Sequence, residues 1–259
     1  MNVAYNMDCL EAMREMPDNA YDLAVVDPPY GVGCTEDAYN GAIIGRFGGR
    51  FEKYHLGENV TIKATRTGGT WAEKYKGTQI SVHRSNKPGG THKNYDVGAD
   101  IRHWDVAPPP EYFEQLFRVS KNQIIWGGNY FCLPPTRCFL VWRKLSISEN
   151  FTMAMCEYAW TSFNDNAKVF EHVPQGKDRI HPCEKPVALY EWIYSRYAKE
   201  DDKILDTHLG SGTSRIAAYN LGFDFVGYEI DKVYFDLQEE RFKRHSAQVT
   251  FFDLGANND

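Results

Sequence analysis

Short apolar runs separated by helical periodicities organise most of the chain. Asp22-Leu-Ala-Val-Val26, Gln123-Ile-Ile-Trp126, Phe139-Leu-Val-Trp142, Lys203-Ile-Leu-Asp206 and Phe223-Asp-Phe-Val-Gly227 read as strands, several of them bounded by Gly or Pro. Between them, Tyr190, Ile193, Tyr194 and Tyr197 fall at i, i+3, i+4 and i+7, and Tyr112, Leu116 and Val119 repeat similarly. Each set makes one apolar stripe of a helix facing a sheet. This rhythm predicts an α/β fold: a mostly parallel, doubly wound sheet covered on both faces, with ligands at the carboxyl ends of the strands. Strands near 139–143 and 157–162, joined by a short polar link, predict an antiparallel hairpin at a sheet edge. No internal repeat or low-complexity tract interrupts the pattern.

Composition narrows the class. A length of 259 residues fits one large domain, or one domain with a sizeable insertion, and 42% hydrophobic with 25% charged residues is the globular average. Disorder, collagen and coiled coil are excluded. No apolar run approaches the roughly 18 residues of a membrane span. The first twenty residues hold Asp8, Glu11, Glu15 and Asp18 against Arg14 alone, unlike a secretory signal, so a cytoplasmic protein is expected. Six cysteines without a C-x-x-C pair predict buried thiols, with neither disulfide nor metal.

The net charge of -6 argues against an indiscriminate polyanion binder, but its distribution is uneven. Residues 31–103 hold 11 Lys and Arg against 7 Asp and Glu, a local +4, together with 13 of the 21 glycines. Arg46, Arg50, Lys74 and Lys76, interspersed with Tyr54 and Tyr75 among glycine pairs, suit loops that close on a phosphate backbone. A solvated insertion whose charges only keep it soluble fits the same composition.

Two motifs carry chemistry. Asp27-Pro28-Pro29-Tyr30 closes an apolar strand, where a doubly wound sheet places its active site. The prolines stiffen the turn and lack N–H groups. Asp27 and the Pro28 carbonyl are therefore paired acceptors, able to hold both hydrogens of an exocyclic amino group, and Tyr30 is a flat face for stacking a base. The plainer reading is a Pro-Pro turn with Asp as a local cap. The second motif, Asp206-Thr-His-Leu-Gly-Ser-Gly-Thr213, runs from strand through a tight turn into a helix. Gly210, Ser211, Gly212 and Thr213 let the backbone pass close to a ligand. Glu229 follows 19 residues after Gly210, at the end of the next strand, where a carboxylate binds ribose hydroxyls. A dinucleotide fingerprint would want a third glycine where Arg215 stands. Its absence disfavours a pyrophosphate and favours a nucleoside bearing an amino acid, such as S-adenosylmethionine.

Together these motifs resemble the amino-methylating, S-adenosylmethionine-dependent DNA methyltransferases of the circularly permuted beta group, with D-P-P-Y near the amino end and the glycine turn near the carboxyl end. The resemblance covers roughly 1–30 and 104–250. It implies a Rossmann-like methyltransferase sheet formed by 1–30 and 104–259. The basic, Gly-rich insertion 31–103 has no counterpart in the family; either DNA contact and target recognition have moved there, or target reading is minimal. The resemblance implies that Asp27, Pro28, Pro29 and Tyr30 are catalytic, and that Asp206, His208 and Gly210 to Thr213 form the cofactor turn. Glu229 would take the ribose, Ile230 would pack on the cofactor's adenine, and Asp8 beside Cys9 would meet its amino group. His181-Pro-Cys-Glu-Lys185-Pro186 resembles the family's H-P-x-x-K-P stretch, whose Lys185 would face the methionine carboxylate or simply charge a helix start. Gly127-Gly128-Asn129-Tyr130 would line the base pocket. His208 departs from the family, which commonly has an aromatic there.

The implied reaction is methylation of adenine N6 in duplex DNA, on a base flipped from the stack. This is the chemistry of restriction-modification enzymes in the cytoplasm of a bacterial or phage-infected cell, and a homodimer is compatible with the likeness. Cytosine N4 methylation uses the same geometry, although the family's N4 members more often carry Ser at the position of Asp27. RNA or protein methylation shares a similar tetrapeptide. A nicotinamide oxidoreductase would leave Asp-Pro-Pro-Tyr without a task, and a DNA-binding module with a vestigial fold would not need both motifs intact.

Overall fold

β2 (Tyr21–Val26) is buried along nearly its whole length, as a central parallel strand should be. Its alternate side chains part to opposite faces: Leu23 and Val25 enter one core, Ala24 and Val26 the other. The computed structural model describes residues 1–31, 106–149, 154–174, 179–181 and 183–256, with side chains to 247.

Around β2 lie β1 (Asn2–Asn6), β3 (Ser120–Trp126), β4 (Phe139–Lys144), β5 (Cys156–Thr161), β6 (Lys168–His172), β7 (Lys203–Asp206) and β8 (Asp224–Glu229). They form one sheet in the order β1-β8-β7-β2-β3-β5-β4-β6. All neighbours pair in parallel except β5, which is antiparallel to both β3 and β4. One face is covered by α3 (Val187–Tyr197) and α4 (Thr213–Asn220), which bring Leu189, Ile193, Tyr194 and Ala217 to the core. The other is covered by α1 (Cys9–Glu15) and α2 (Pro110–Val119), which bring Met13, Tyr112, Leu116 and Val119. α2 begins with a proline, whose missing N–H costs nothing in the first turn. α5 (Lys232–Ala256) follows β8.

The predicted α/β sheet is present and the 139/157 hairpin is antiparallel, but that hairpin is not the edge. β6 pairs outside β4. Its Val169 is 59% exposed while Phe170 packs on Trp192, so only alternate positions of a five-residue strand carry a burial signal. β1, with the polar sequence Asn-Val-Ala-Tyr-Asn, likewise escapes a hydrophobicity reading.

The chain divides into two units, Met1–Tyr30 with Pro108–Asp259, and Gly31–Ala107. The first holds the whole sheet. Of the second, residues 32–105 lie outside the described residues, and so do the basic insertion and Cys34.

Candidate active site

The strand order fixes where a ligand can sit. From β2 the chain crosses through α2 to β3 on one side, and from β7 through α4 to β8 on the other. The two crossovers leave neighbouring strands in opposite directions, which opens a crevice at their carboxyl ends. Asp27 follows β2 directly and Asp206 ends β7, and the two strands pair through Leu23 with Ile204 and Ala24 with Leu205. The two motifs, far apart in sequence, thus share one edge of the sheet.

At the β2 end, the Tyr30 hydroxyl donates to Asp27 Oδ1 at 2.7 Å. Lys185 donates to Asp27 Oδ2 and lies 3.2 Å from Glu157 Oε2, and Lys144 lies 2.5 Å from Glu157 Oε1. Burial lowers the Lys185 ammonium's pKa, but Asp27, Tyr30 and Glu157 outweigh it and hold the value well above the lysine range. Burial followed by the Asp27 charge pushes the Tyr30 phenol well up, so it remains a donor. The Tyr30 ring stacks on Tyr130, centroids 4.8 Å apart and planes 17° from parallel. Gly127 passes beneath it with φ +67°, and a Cβ there would lie 2.1 Å from the ring. Gly127 and Tyr130 therefore meet the Tyr30 ring directly.

At the β7 end, the turn is built by its own side chains. Asp206 accepts from the His208 N–H at 3.0 Å and from the Ser214 hydroxyl, and burial raises its carboxyl to about 7. Ser211 and Thr213 share a hydroxyl hydrogen bond of 2.8 Å. These three side chains are buried and face into the turn, so they shape it rather than present groups outward. Gly210 and Gly212 have φ of +51° and +71°, which other residues adopt at a cost. Glu229 accepts the Gly210 N–H on one oxygen and the Asp231 N–H on the other, both at 2.8 Å, and each oxygen keeps a second lone pair. Ile230 beside it is 59% exposed. Asp8 caps α1, accepting from the Leu10 N–H at 2.7 Å. Cys9 is buried and its thiol is pushed up to about 12, making it a small apolar neighbour. His208 is held at about 4 by burial, bonds to the Thr207 hydroxyl at 2.9 Å and packs edge-on to Tyr112.

Two expectations are corrected. Lys185 does not point a free ammonium toward a ligand carboxylate: it is 3% exposed and its partners are Asp27 and Glu157, because a buried cation requires compensation close by. The cysteines are not uniformly buried: Cys9 and Cys138 are, whereas Cys132, Cys156 and Cys183 are exposed.

Sequence reasoning missed Glu157 and Lys144, which the hairpin register brings to this edge, Glu157 pairing opposite Trp142. Two charges on otherwise aromatic strands were the available signal. It also missed Arg241, which pairs with Glu184 at 2.9 Å and donates to the Ser211 carbonyl at 2.9 Å and the Thr213 hydroxyl at 3.1 Å. Arg241 thus ties the H-P-x-x-K-P segment to the glycine turn. His181 of that segment lies 3.6 Å from where a Gly210 Cβ would sit and stays neutral, its pKa held at about 4 by burial. Among the described residues no cluster of His, Cys, Asp and Glu could hold a metal, and no helix is long and apolar enough to cross a membrane.

Residues 120–240 match a family model described as DNA methylase. The type II methyltransferase M2.MboI of Moraxella bovis is 24% identical over 92% of this chain and 86% of its own length. M.HinfI of Haemophilus influenzae is 23% identical over 94% of this chain and 68% of its own. Among solved structures, the PvuII DNA methyltransferase, described as cytosine-N4-specific, superposes with a TM-score of 0.51 at 12% identity, covering 93% of this chain and 86% of that one, a likeness of fold. With the two motifs meeting at one switch point of the sheet, the chain is similar in sequence to type II DNA methyltransferases and in fold to a solved DNA methyltransferase.

Proposed function

We propose that the protein methylates the N6 amino group of adenine in duplex DNA, on a base turned out of the helix. The observation that supports this reading is the shared edge: Asp27 with its fixed partners and Gly210 with Glu229 stand at the carboxyl ends of β2 and β7 and of the strand next to β7. The residues fit the cofactor. Glu229 has both oxygens anchored by backbone N–H groups and lone pairs left for ribose hydroxyls, Ile230 offers an exposed apolar face to an adenine, and the positive-φ Gly210 and Gly212 present bare backbone at the turn.

On the substrate side, Asp27 and the Pro28 carbonyl accept the two amino hydrogens. This draws the nitrogen lone pair out of conjugation and aims it. Tyr30 holds Asp27 in register, and the Tyr30–Tyr130 stack, with Tyr130 46% exposed, extends an aromatic surface to the flipped base. S-adenosylmethionine, held by Glu229, Ile230 and the glycine turn, would supply an electrophilic sulfonium methyl group to that nitrogen, whose extra proton would leave to solvent. Asp27 acts as an acceptor and need not be a strong base. The basic segment 31–103 takes the phosphate backbone and the target sequence in this reading.

Labelled methyl transfer to DNA, RNA and protein, followed by nucleoside analysis, tests it. N6-methyladenine in DNA is the expected product; N4-methylcytosine, or label in RNA or protein, would replace the reading. Asp27→Ala is expected to abolish transfer while cofactor affinity stays within a few-fold. Glu229→Ala is expected to weaken cofactor binding by about tenfold or more in calorimetry, and an unchanged affinity would remove its ribose role.

A further inference from the structure

Lys144, Glu157, Lys185 and Asp27 form a row of alternating charges that ends at the catalytic tetrapeptide. Their side chains are 10%, 26%, 3% and 17% exposed, and the formal charges cancel. Glu157 is the shared member, with one oxygen 2.5 Å from Lys144 and the other 3.2 Å from Lys185. The two ammonium groups lie over the rings of Trp142 and Trp126, at 5.0 and 5.1 Å from the centroids. Glu157 and Lys144 come from the β4/β5 hairpin, which contributes to neither motif.

We propose that Glu157, anchored by Lys144, is a positioning residue for methyl transfer: it holds Lys185 between two carboxylates, so that Asp27 is oriented but not neutralised. The role rests on the reading of Asp27 as acceptor for the amine. Paired with Asp27 alone, Lys185 would cancel the acceptor's charge just where the amine becomes positive. Sharing the cation with Glu157 returns negative charge to that end of the row, and the aromatic walls keep the ammonium from swinging to solvent. Burial pushes the Glu157 carboxyl up, but Lys185 and Lys144 more than offset this and bring it below the ordinary range. Glutamine at 157 therefore removes a real charge while keeping the shape.

Purified full-length protein, labelled S-adenosylmethionine and unmethylated bacterial genomic DNA provide the test. Glu157→Gln is expected to lower the single-turnover rate at least tenfold, with cofactor Kd and DNA KM within about threefold of the parent. Glu157→Asp, which keeps the charge, should recover most of the rate. Because Glu157 acts through Lys185, adding Glu157→Gln to Lys185→Met should cost less than twofold more. A parental rate in Glu157→Gln, or the same tenfold loss in the Lys185→Met background, overturns the proposal. Should Glu157→Gln not fold, Glu157→Ala removes the same charge without leaving a buried amide and is read in its place; a tenfold slower transfer is expected and a parental rate is contrary. A parent protein that labels no DNA overturns the methylation reading itself, whereas an active parent with an equally active Glu157→Gln overturns only the role of Glu157.

Discussion

Gly127 illustrates how a residue with no side chain can set a site. Its backbone has φ +67° and lies against the Tyr30 ring, so alanine there meets both a conformational penalty of about 1 kcal/mol and a clash that moves the ring. Gly127→Ala should lower the melting temperature by a few degrees and the transfer rate by tenfold or more; equal activity would show that the ring can shift without consequence. The sequence marks Asp27, Tyr30 and Glu229 because carboxylates and aromatics at strand ends have a chemical reading. Gly127 reads as a turn or, by resemblance, as part of a base-pocket lining, but the approach of Tyr30 from 97 residues away is contained in no local pattern. Lys185 is misdirected for a similar reason: its motif is visible, its partners are not.

Among the elements, the buried central strands are legible because a continuous apolar run of strand length belongs inside a parallel sheet, and helices α2 and α3 because their stripes repeat correctly. Edge strands β1 and β6 are not, having one wetted face and little apolar content. Arg215 shows why the missing third glycine is harmless: its guanidinium turns away from the turn to Asn2 at 2.8 Å and Gln238 at 3.0 Å, locking α4 to β1 and α5. α5 also supplies Arg241. Replacing it by methionine takes from Glu184, 1% exposed, its paired cation and should cost on the order of 3 kcal/mol in urea unfolding. Cofactor affinity should fall as well, because the Ser211 carbonyl and Thr213 hydroxyl lose their donor. Adding Glu184→Gln should recover part of the stability, and strict additivity of the two changes would deny the coupling.

For the whole molecule, the buried groups at the site predict opposing pH responses. Asp206 has a folded pKa of about 7, above its unfolded value of 3.8, so its contribution to stability is complete below about pH 4 and is lost as pH rises through 7. His181 and His208, held at about 4 against an ordinary 6.5, act with the reverse sign and lose stability as pH falls through that interval. Asp206→Asn should therefore gain stability relative to the parent steadily from pH 4 to 7 and no further above it; a pH-independent difference would mean that Asp206 is not protonated in the folded state. The ion pair between Asp27 and Lys185 joins positions 158 residues apart. A chain still emerging from the ribosome has made its tetrapeptide long before the cation that orients it exists. Under the proposed function, a chain that stops short of residue 185 carries the acceptor without its orienting cation, and such fragments are expected to transfer no methyl group.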